Sequence, residues 1–255
     1  MDRPTFLTVV VVVLAVLAGC TSDVPTATPA PVPSPSFGAS FDGPLPPGAT
    51  ASGIDNRSAL VGAHTERTAG TDGRITINRT VRRVDGGEAL LSRTQTTVDF
   101  EADPARINFS QRQRSNGVYP NQTIDAYYSE RDRFARITDE NGSYFDRITE
   151  TTVGEYRTQT AAYEVYNALG VGQWIPSERT TVGDSDAVVF RLTDVDGTLD
   201  NATGAMAVTP DGAIRRLTLR TVTDGRAVRV QYRYDTFDDR PVDPPGWLAA
   251  AREAE

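Results

Sequence analysis

Few residues of this chain have the type and spacing that catalysis requires. Its one histidine, His64, could act as a base, but a lone histidine without an identifiable nucleophile or partner is more typical of packing or capping. Residues 194–197, Asp-Val-Asp-Gly, together with Asp200, have the composition of a calcium loop but lack the spacing and closing glutamate of an EF-hand. We interpret them, and the acidic residues at 184–186 and 101–103, as solvated turns. The sequence therefore predicts no metal site.

The amino-acid composition excludes several classes of enzyme. The chain has 255 residues and a formal charge of −8, and all 26 of its basic residues are arginine. Without lysine there is no Schiff base and no P-loop lysine, and one cysteine cannot form an internal disulfide or a Cys-rich zinc site. No Gly-x-Ser-x-Gly elbow occurs. We predict a non-catalytic protein without a cofactor; a hydrolase with two carboxylates is a weaker alternative, since their separation is set in space. The acidic balance also argues against a nucleic-acid partner.

The first 19 residues have the pattern of an export signal. Arg3 supplies the positive charge, and an apolar run at 6–18 follows that is shorter than the roughly 20 residues of a membrane span. The four residues 17–20, Leu-Ala-Gly-Cys, resemble the lipobox of prokaryotic lipoproteins, which implies cleavage before Cys20 and attachment of a lipid to its thiol. A short transmembrane anchor is the alternative. We predict residues 1–19 as a signal peptide and Cys20 as the lipidation site.

Proline, threonine, serine and alanine dominate the next segment, which we place at 20–51 together with the lipidated cysteine. Such a segment has too little apolar surface to pack, and its prolines keep it extended. It is therefore predicted to be a disordered tether. The protein is expected to be anchored by lipid at the extracellular face of the cell membrane.

Six of the eight asparagines stand in Asn-x-Ser/Thr sequons. Asn-x-Thr also suits turns and polar strand faces, but glycosylation of at least one site agrees with export. The predicted sites are Asn56, Asn78, Asn108, Asn121, Asn141 and Asn201.

Residues 52–255 alternate between strand and turn patterns and are predicted to form one β-rich domain. Asn56 can cap a first helix that Gly70 ends, and a second helix is predicted at 159–169. Period-two patterns and turn signals predict strands at 75–81, 88–100, 106–114, 124–129, 133–138, 143–149, 174–181, 187–193, 202–209, 213–222 and 226–237. The C-terminal end forms a short acidic tail or helix. We expect an α+β fold, in which about ten antiparallel strands form a large curved sheet, a half-open β-barrel, with two covering helices.

The aromatic residues of the central strands and the second helix have two interpretations. They form the core of an ordinary β-rich domain, or several of them line a cavity for a lipid or prenyl chain. Arginine and threonine at the rim would then meet a head group. The predicted groove residues are Phe100, Phe109, Tyr128, Phe134, Phe145 and Tyr166.

The order of these features resembles a family of haloarchaeal lipoproteins that has no known activity. The resemblance is carried by the lipobox, the Thr/Pro tether, the helix from Asn56 to His64, the pair Tyr127-Tyr128, residues 140–144 and the closing Pro245-Gly246-Trp247. The acidic, lysine-free composition is also typical of haloarchaeal proteins, whose carboxylates keep them soluble in high salt. The architecture is similar to the lipoprotein carriers and the mycobacterial glycolipid-binding lipoproteins, whose half-barrels hold acyl chains.

Two functions follow as hypotheses. The first is a lipid-anchored cell-surface lipoprotein that binds a hydrophobic or lipid ligand in its half-barrel groove, without catalysis. The alternative is a structural or protein-interaction module of the cell envelope, with a filled core. A ligand-sized apolar groove favours the first, and a packed interior favours the second.

Overall fold

The structure is a computed structural model that describes residues 43–84, 89–102, 105–116, 120–149, 151–195, 197–237 and 241–254. The predicted signal peptide, Cys20 and most of the predicted tether lie outside the described residues. Residues 43–51 belong to the segment predicted as tether, yet they pack on the domain. Leu45 contacts the main core, and the Gly48 carbonyl accepts backbone hydrogen bonds from Asp55 and Asn56 at 3.0 Å each.

Three helices and thirteen strands make up the described chain. The helices are α1 (Arg57–Ala69), α2 (Val153–Gly170) and α3 (Leu248–Glu253). The strands are β1 (Ala49–Thr50), β2 (Gly53–Ile54), β3 (Gly73–Arg83), β4 (Ala89–Glu101), β5 (Arg106–Ser115), β6 (Gln122–Tyr128), β7 (Arg133–Asp139), β8 (Gly142–Arg147), β9 (Gly172–Val182), β10 (Ser185–Val195), β11 (Asn201–Val208), β12 (Ile214–Thr223) and β13 (Arg226–Thr236). No helix among the described residues is long and apolar enough to cross a membrane.

Eleven of the strands form one antiparallel sheet in the order β8-β7-β6-β5-β4-β3-β13-β12-β11-β10-β9. Neighbours in this order are also neighbours in the chain, except where β3 pairs with β13. The sheet is curved but not closed, and α2 connects its two outermost strands, β8 and β9. The predicted α+β fold with a large, open, curved antiparallel sheet is confirmed.

The two faces of the sheet differ in burial because side chains alternate along each strand. In β13, Val230, Tyr232 and Tyr234 are buried against the helices, whereas Arg229 and Gln231 are exposed. We call the side that α1 and α2 pack on the covered face, and the opposite side the open face.

Helix α1 begins and ends as its sequence predicts. The side chain of Asn56 accepts a hydrogen bond from the backbone N–H of Ala59 at 3.0 Å, and Gly70 ends the helix. Its buried residues Leu60, His64 and Thr68 recur every four positions and therefore form one stripe that faces the sheet.

Helix α2 begins six residues earlier than predicted. Thr152 and Glu155 form a capping box, in which each side chain accepts a hydrogen bond from the backbone N–H of the other residue. This box starts the helix at Val153. The helix then packs against α1 and buries Ala161, Val165 and Leu169 in the core.

The short helix α3 adds a third helix to the two that were expected. It packs on β7 from the open face, where Leu248 and Ala251 cover Tyr127 and Phe134. This small second core closes one end of the open face and leaves the strands in the middle of the sheet uncovered.

Candidate functional site

Three of the predicted groove residues lie on the covered face, where helix α2 occupies the space beside them. Phe100 and Tyr128 are buried and Phe109 is half-buried. Tyr156 of α2 stacks on Tyr128 with ring centroids 4.3 Å apart and meets Phe109 edge to face at 5.7 Å. Burial raises the pKa of Tyr128 to about 12, as expected for a phenol inside a packed core.

The other three predicted groove residues lie elsewhere, so the six are not brought together. Phe134 and Phe145 belong to the second core on the open face, where Phe145 stacks on Trp247 at 6.1 Å. Tyr166 lies on the outer side of α2 and is 62% exposed. Only the covered-face residues share one environment, and it is filled by protein.

His64 is part of the core and not of a reactive site. Its Nε2 lies 2.8 Å from the hydroxyl of Tyr232, and its Nδ1 accepts a hydrogen bond from the backbone N–H of Ile214 at 3.2 Å. Burial lowers the pKa of His64 to about 3, so the ring is neutral at ordinary pH. Both nitrogens have partners within the fold, which is the packing role that the sequence favours.

The prediction that the acidic segments are solvated turns is only partly correct. Asp184 lies in the β9–β10 turn, but Asp186 and Asp194 belong to β10, where Asp194 is exposed with a φ of 45°. Glu101 ends β4, where its carboxylate accepts a hydrogen bond from the Val242 backbone N–H at 3.1 Å. Asp103 and Asp196 lie outside the described residues. Within the part of the chain that the structure describes, no three His, Cys, Asp or Glu side chains are grouped as metal ligands.

The six sequons are spread over the domain. Asn56, Asn121, Asn141 and Asn201 are exposed. Asn108 and Asn78 are half-buried, the former with its amide nitrogen 3.3 Å from the Asp243 carbonyl oxygen. Asn78 lies in the middle of β3 on the open face, directly opposite Gln95 of β4 and Gln231 of β13.

A groove on the open face has a volume of about 820 Å³. It runs over β3, β13 and β12, and the turn between β9 and β10 borders it. Its charged residues are Arg74, Arg215, Arg216, Arg233, Asp184 and Asp235, and its uncharged polar residues include Thr76, Asn78, Thr218, Gln231 and Thr236.

A second cavity of about 370 Å³ continues the open face toward the other ends of these strands and shares Gln231 with the first. The strand register explains its charge. Arg114 of β5 lies opposite Arg93 of β4, which lies opposite Thr80 of β3. Thr80 in turn lies opposite Arg229 of β13, and Arg229 lies opposite Arg220 of β12. We call Arg114, Arg93, Arg229 and Arg220 the arginine row; it crosses five strands and spans roughly 19 Å.

The arginine row has no acidic partner among the described residues. In the 820 Å³ groove two arginines do have acidic partners. Arg74 donates two hydrogen bonds to Asp99, at 2.6 and 2.9 Å, and Arg233 forms an ion pair with Asp235. By contrast, none of the four row side chains forms an ion pair or hydrogen bond with another residue that the structure describes. Because like charges directly opposite each other destabilise a sheet, the row is a costly arrangement for the fold alone.

The open face can therefore hold anionic groups. Arginine presents a planar fork of N–H donors that matches the oxygens of carboxylate, sulfate and phosphate. Sequence reasoning found the polar alternation of β13 but not the row. The row depends on the pairing of β3 with β13, which are far apart in the chain, and that pairing leaves no local signal.

No family model matches the chain, and no curated protein matches it either. Solved structures match over most of the domain at low similarity. The Pseudomonas aeruginosa MucB in complex with MucA is 12% identical, with a TM-score of 0.35 over 73% of this chain and 59% of that one. A LolA superfamily protein from Nitrosomonas europaea is 14% identical, with a TM-score of 0.27 over 72% of this chain and 94% of that one. A putative outer membrane lipoprotein-sorting protein domain from Vibrio parahaemolyticus is 8% identical, with a TM-score of 0.28 over 73% and 95%. This chain thus spans about 59% of MucB.

Proposed function

We propose that this protein is an exported, non-catalytic binding module that holds an acidic polysaccharide on its open face. In this proposal Cys20 carries a lipid at the extracellular side of the cell membrane, and one or more of the sequons are glycosylated. The proposal takes up the predicted envelope module with a filled core and gives it a binding surface.

The arginine row is the observation that carries this function. A protein with 34 acidic and 26 basic residues places four arginines that have no ion-pair partner among the described residues in one row, which only Thr80 interrupts. Because the arginine row is positive and the protein as a whole is negative, anions are attracted to the row and repelled by the rest of the molecule.

The residues beside the arginine row favour a sugar chain over a bilayer or a protein surface. Beside the arginine row lie amides and hydroxyls, which bind sugar hydroxyls: Gln95, Asn78, Gln231 and Thr218. A lipid surface or a protein interface would call for apolar or aromatic side chains at the centre of the patch. The central positions of this patch have polar side chains instead.

The first hypothesis from the sequence is a lipid ligand in the half-barrel groove, and the packing of the covered face argues against a ligand there. Leu60, Val165 and Trp174 are buried between the helices and the sheet. Trp174 also donates a hydrogen bond to the Ala168 carbonyl at 3.1 Å, which holds the end of α2 on the sheet. An acyl chain would have to displace α2 to bind there.

Chromatography of the full chain in a non-ionic detergent tests the proposal. We expect retention on immobilised dextran sulfate, elution by rising salt, and no retention on uncharged dextran. The double variant Arg93→Gln/Arg229→Gln should bind dextran sulfate about 30-fold more weakly, at about 1 kcal/mol for each arginine. Arg131→Gln is the matched control, because Arg131 is an equally exposed arginine in the β6–β7 turn, away from the open-face groove.

Two results would contradict the proposal. One is equal retention on the two resins, and the other is equal weakening by the double variant and by Arg131→Gln. Native mass spectrometry of the same sample tests the lipid-ligand hypothesis, because a lipid held in the covered face would add mass that solvent extraction removes.

Asn78 offers a further check. Because it lines the groove, a glycan on this sequon would stand where the proposed polymer binds. We therefore expect peptide mapping of the native protein to find Asn78 unmodified in the fraction that dextran sulfate retains.

A further inference from the structure

The open-face groove contains one buried arginine, Arg215. Arg215 is the extra residue of a β-bulge: Val208 of β11 lies opposite Ile214, whereas the preceding Ala207 lies opposite Arg216. A bulge redirects the side chain at that point of the strand. The guanidinium carbon of Arg215 lies 5.1 Å from the ring centre of Tyr234, and the residue is only 9% exposed.

The polar atoms of this buried guanidinium are poorly satisfied. Among the described residues, both terminal nitrogens contact only the hydroxyl of Thr236, at a long 3.4 Å, and Nε has no hydrogen-bond partner. No carboxylate within the described ranges forms an ion pair with it. Buried charges in proteins are ordinarily paired, because an unpaired one loses its hydration without compensation.

Two other arginines show that this situation is specific to Arg215. Arg157 is as deeply buried, but its terminal nitrogens donate to the Ala69 carbonyl at 2.7 Å and to the Glu101 carbonyl. Arg136 also has an unpartnered Nε, but it forms an ion pair with Asp125 at 2.7 Å. In both, the fold itself supplies the acceptors that Arg215 lacks.

Arg215 also stands where two cavities meet. It lines the 820 Å³ groove and a neighbouring cavity of about 320 Å³, and Ser185 and Thr236 line both of them too. Arg67 lines the smaller cavity, where it is paired with Asp211 at 3.0 Å. An oxyanion at this junction would meet one buried guanidinium and two hydroxyl donors in a partly dehydrated site, where such hydrogen bonds are strongest.

We propose that Arg215, with Ser185 and Thr236, is a binding site for a single oxyanion, a sulfate or carboxylate group, at the junction of the two cavities. The inference rests on the proposed function in that the acid group of a bound polysaccharide would occupy this site, while the arginine row binds the rest of the chain. A free inorganic anion has the same chemistry and is the simplest probe.

The direct test is an NMR titration of the full chain, with ¹⁵N-labelled arginine, by sodium sulfate against sodium chloride at equal ionic strength. We expect the Nε–H signal of Arg215 to shift saturably with sulfate only. Arg215→Gln should weaken sulfate binding at least about tenfold, which corresponds to the loss of one charge-assisted hydrogen bond. Arg131→Gln is again the control.

The substitution could also weaken the fold, so Thr236→Val is the second variant. It removes one proposed donor and leaves the guanidinium in place, and it should weaken sulfate binding by a smaller factor. An Arg215 signal that sulfate does not move, or folded Arg215→Gln that binds sulfate as tightly as the wild type, would overturn the site.

Dextran sulfate separates this inference from the proposed function. Polymer binding that depends on Arg93 and Arg229 but not on Arg215 overturns the oxyanion site and leaves the proposed function intact. Sulfate binding at Arg215 without polymer binding gives the opposite outcome, a small-anion site on a protein that does not hold polysaccharide.

Discussion

The covered face and the open face are built from alternate residues of the same strands, yet they satisfy opposite requirements. On the covered face Tyr232 and Tyr234 pack around His64, each with ring centroids 5.8 Å from it, and each of the polar atoms of His64 has a partner. On the open face Arg229 and Arg220 lie directly opposite each other, and neither has an ion-pair partner in the part of the chain that the structure describes. The covered face thus stabilises the fold through buried rings and satisfied hydrogen bonds. The open face places like charges opposite each other, and the stability of the fold does not explain that arrangement.

The largest expected change in the free energy of unfolding comes from a substitution on the covered face. Phe100→Ala removes a ring that is 1% exposed, contacts Tyr234 at 6.0 Å and lies under the Arg157 guanidinium at 5.0 Å. It should lower the free energy of unfolding by about 3–5 kcal/mol in urea denaturation. Phe145→Ala is the matched change at a half-buried residue that packs against the second core, and it should cost about 1 kcal/mol. Equal losses would remove the energetic distinction between the two cores.

The next effect is a pH dependence that originates in the covered face. The pKa of His64 is about 3 in the fold against 6.5 in the unfolded chain, so protons bind preferentially to the unfolded state. Stability is therefore complete above pH 6.5 and declines as the pH falls toward 3, with a loss of about 2 kcal/mol at pH 5. The measurement is the unfolding free energy at pH 7.5 and pH 5 for the wild type and for His64→Gln. A drop of the same size in the variant would show that other groups cause it.

A substitution on the open face should change the free energy of unfolding by a smaller amount and in the opposite direction. Arg229→Gln removes the repulsion from Arg220 and should raise the free energy of unfolding by about 0.2–1 kcal/mol at low salt. The gain should vanish in high salt, where surface charges are screened. The same variant should lose affinity for dextran sulfate, so that stability and binding change in opposite directions. A destabilised Arg229→Gln would mean that the row serves the fold.

The smallest expected change in stability comes from a substitution at the predicted lipid anchor. Cys20→Ser should abolish the lipid-modified N-terminal peptide in mass spectrometry and leave the unfolding free energy of the domain unchanged, because the contacts of the domain are made by residues 43–254. An unmodified N-terminal peptide in the wild type would contradict the lipoprotein prediction.

The sequence predicted the helices and strands more accurately than it predicted which of them pack or pair with each other. Asn56 and Gly70 predicted α1, and the alternation of β13 predicted a sheet with one buried face. The sequence predicts the start of α2 six residues too late, because Val153 and Gly154 are poor helix formers. The capping box of Thr152 and Glu155, which flank these two residues, is the signal that marks the start of the helix.

The candidate site was harder to predict, for two physical reasons. Neighbouring positions such as Tyr127 and Tyr128 are both aromatic and buried, on opposite faces, so alternation cannot tell which face the helices cover. The arginine row and the bulge at Arg215 depend on register between strands, which is a property of pairs of segments and not of one segment.

The pairing of β3 with β13 also sets the order in which this protein can fold. Eleven residue pairs join residues 73–83 to residues 226–236, so the centre of the sheet forms only after nearly the whole chain is present. Contacts that distant in sequence are slow to form. Until then β3 is an unpaired edge with free backbone donors and acceptors, the kind of strand through which proteins aggregate. Arg74, Arg79, Arg82 and Arg83 place charge along that edge. The same arginine-rich sequence that charges the finished surface would thus keep the incomplete chain from pairing with its copies.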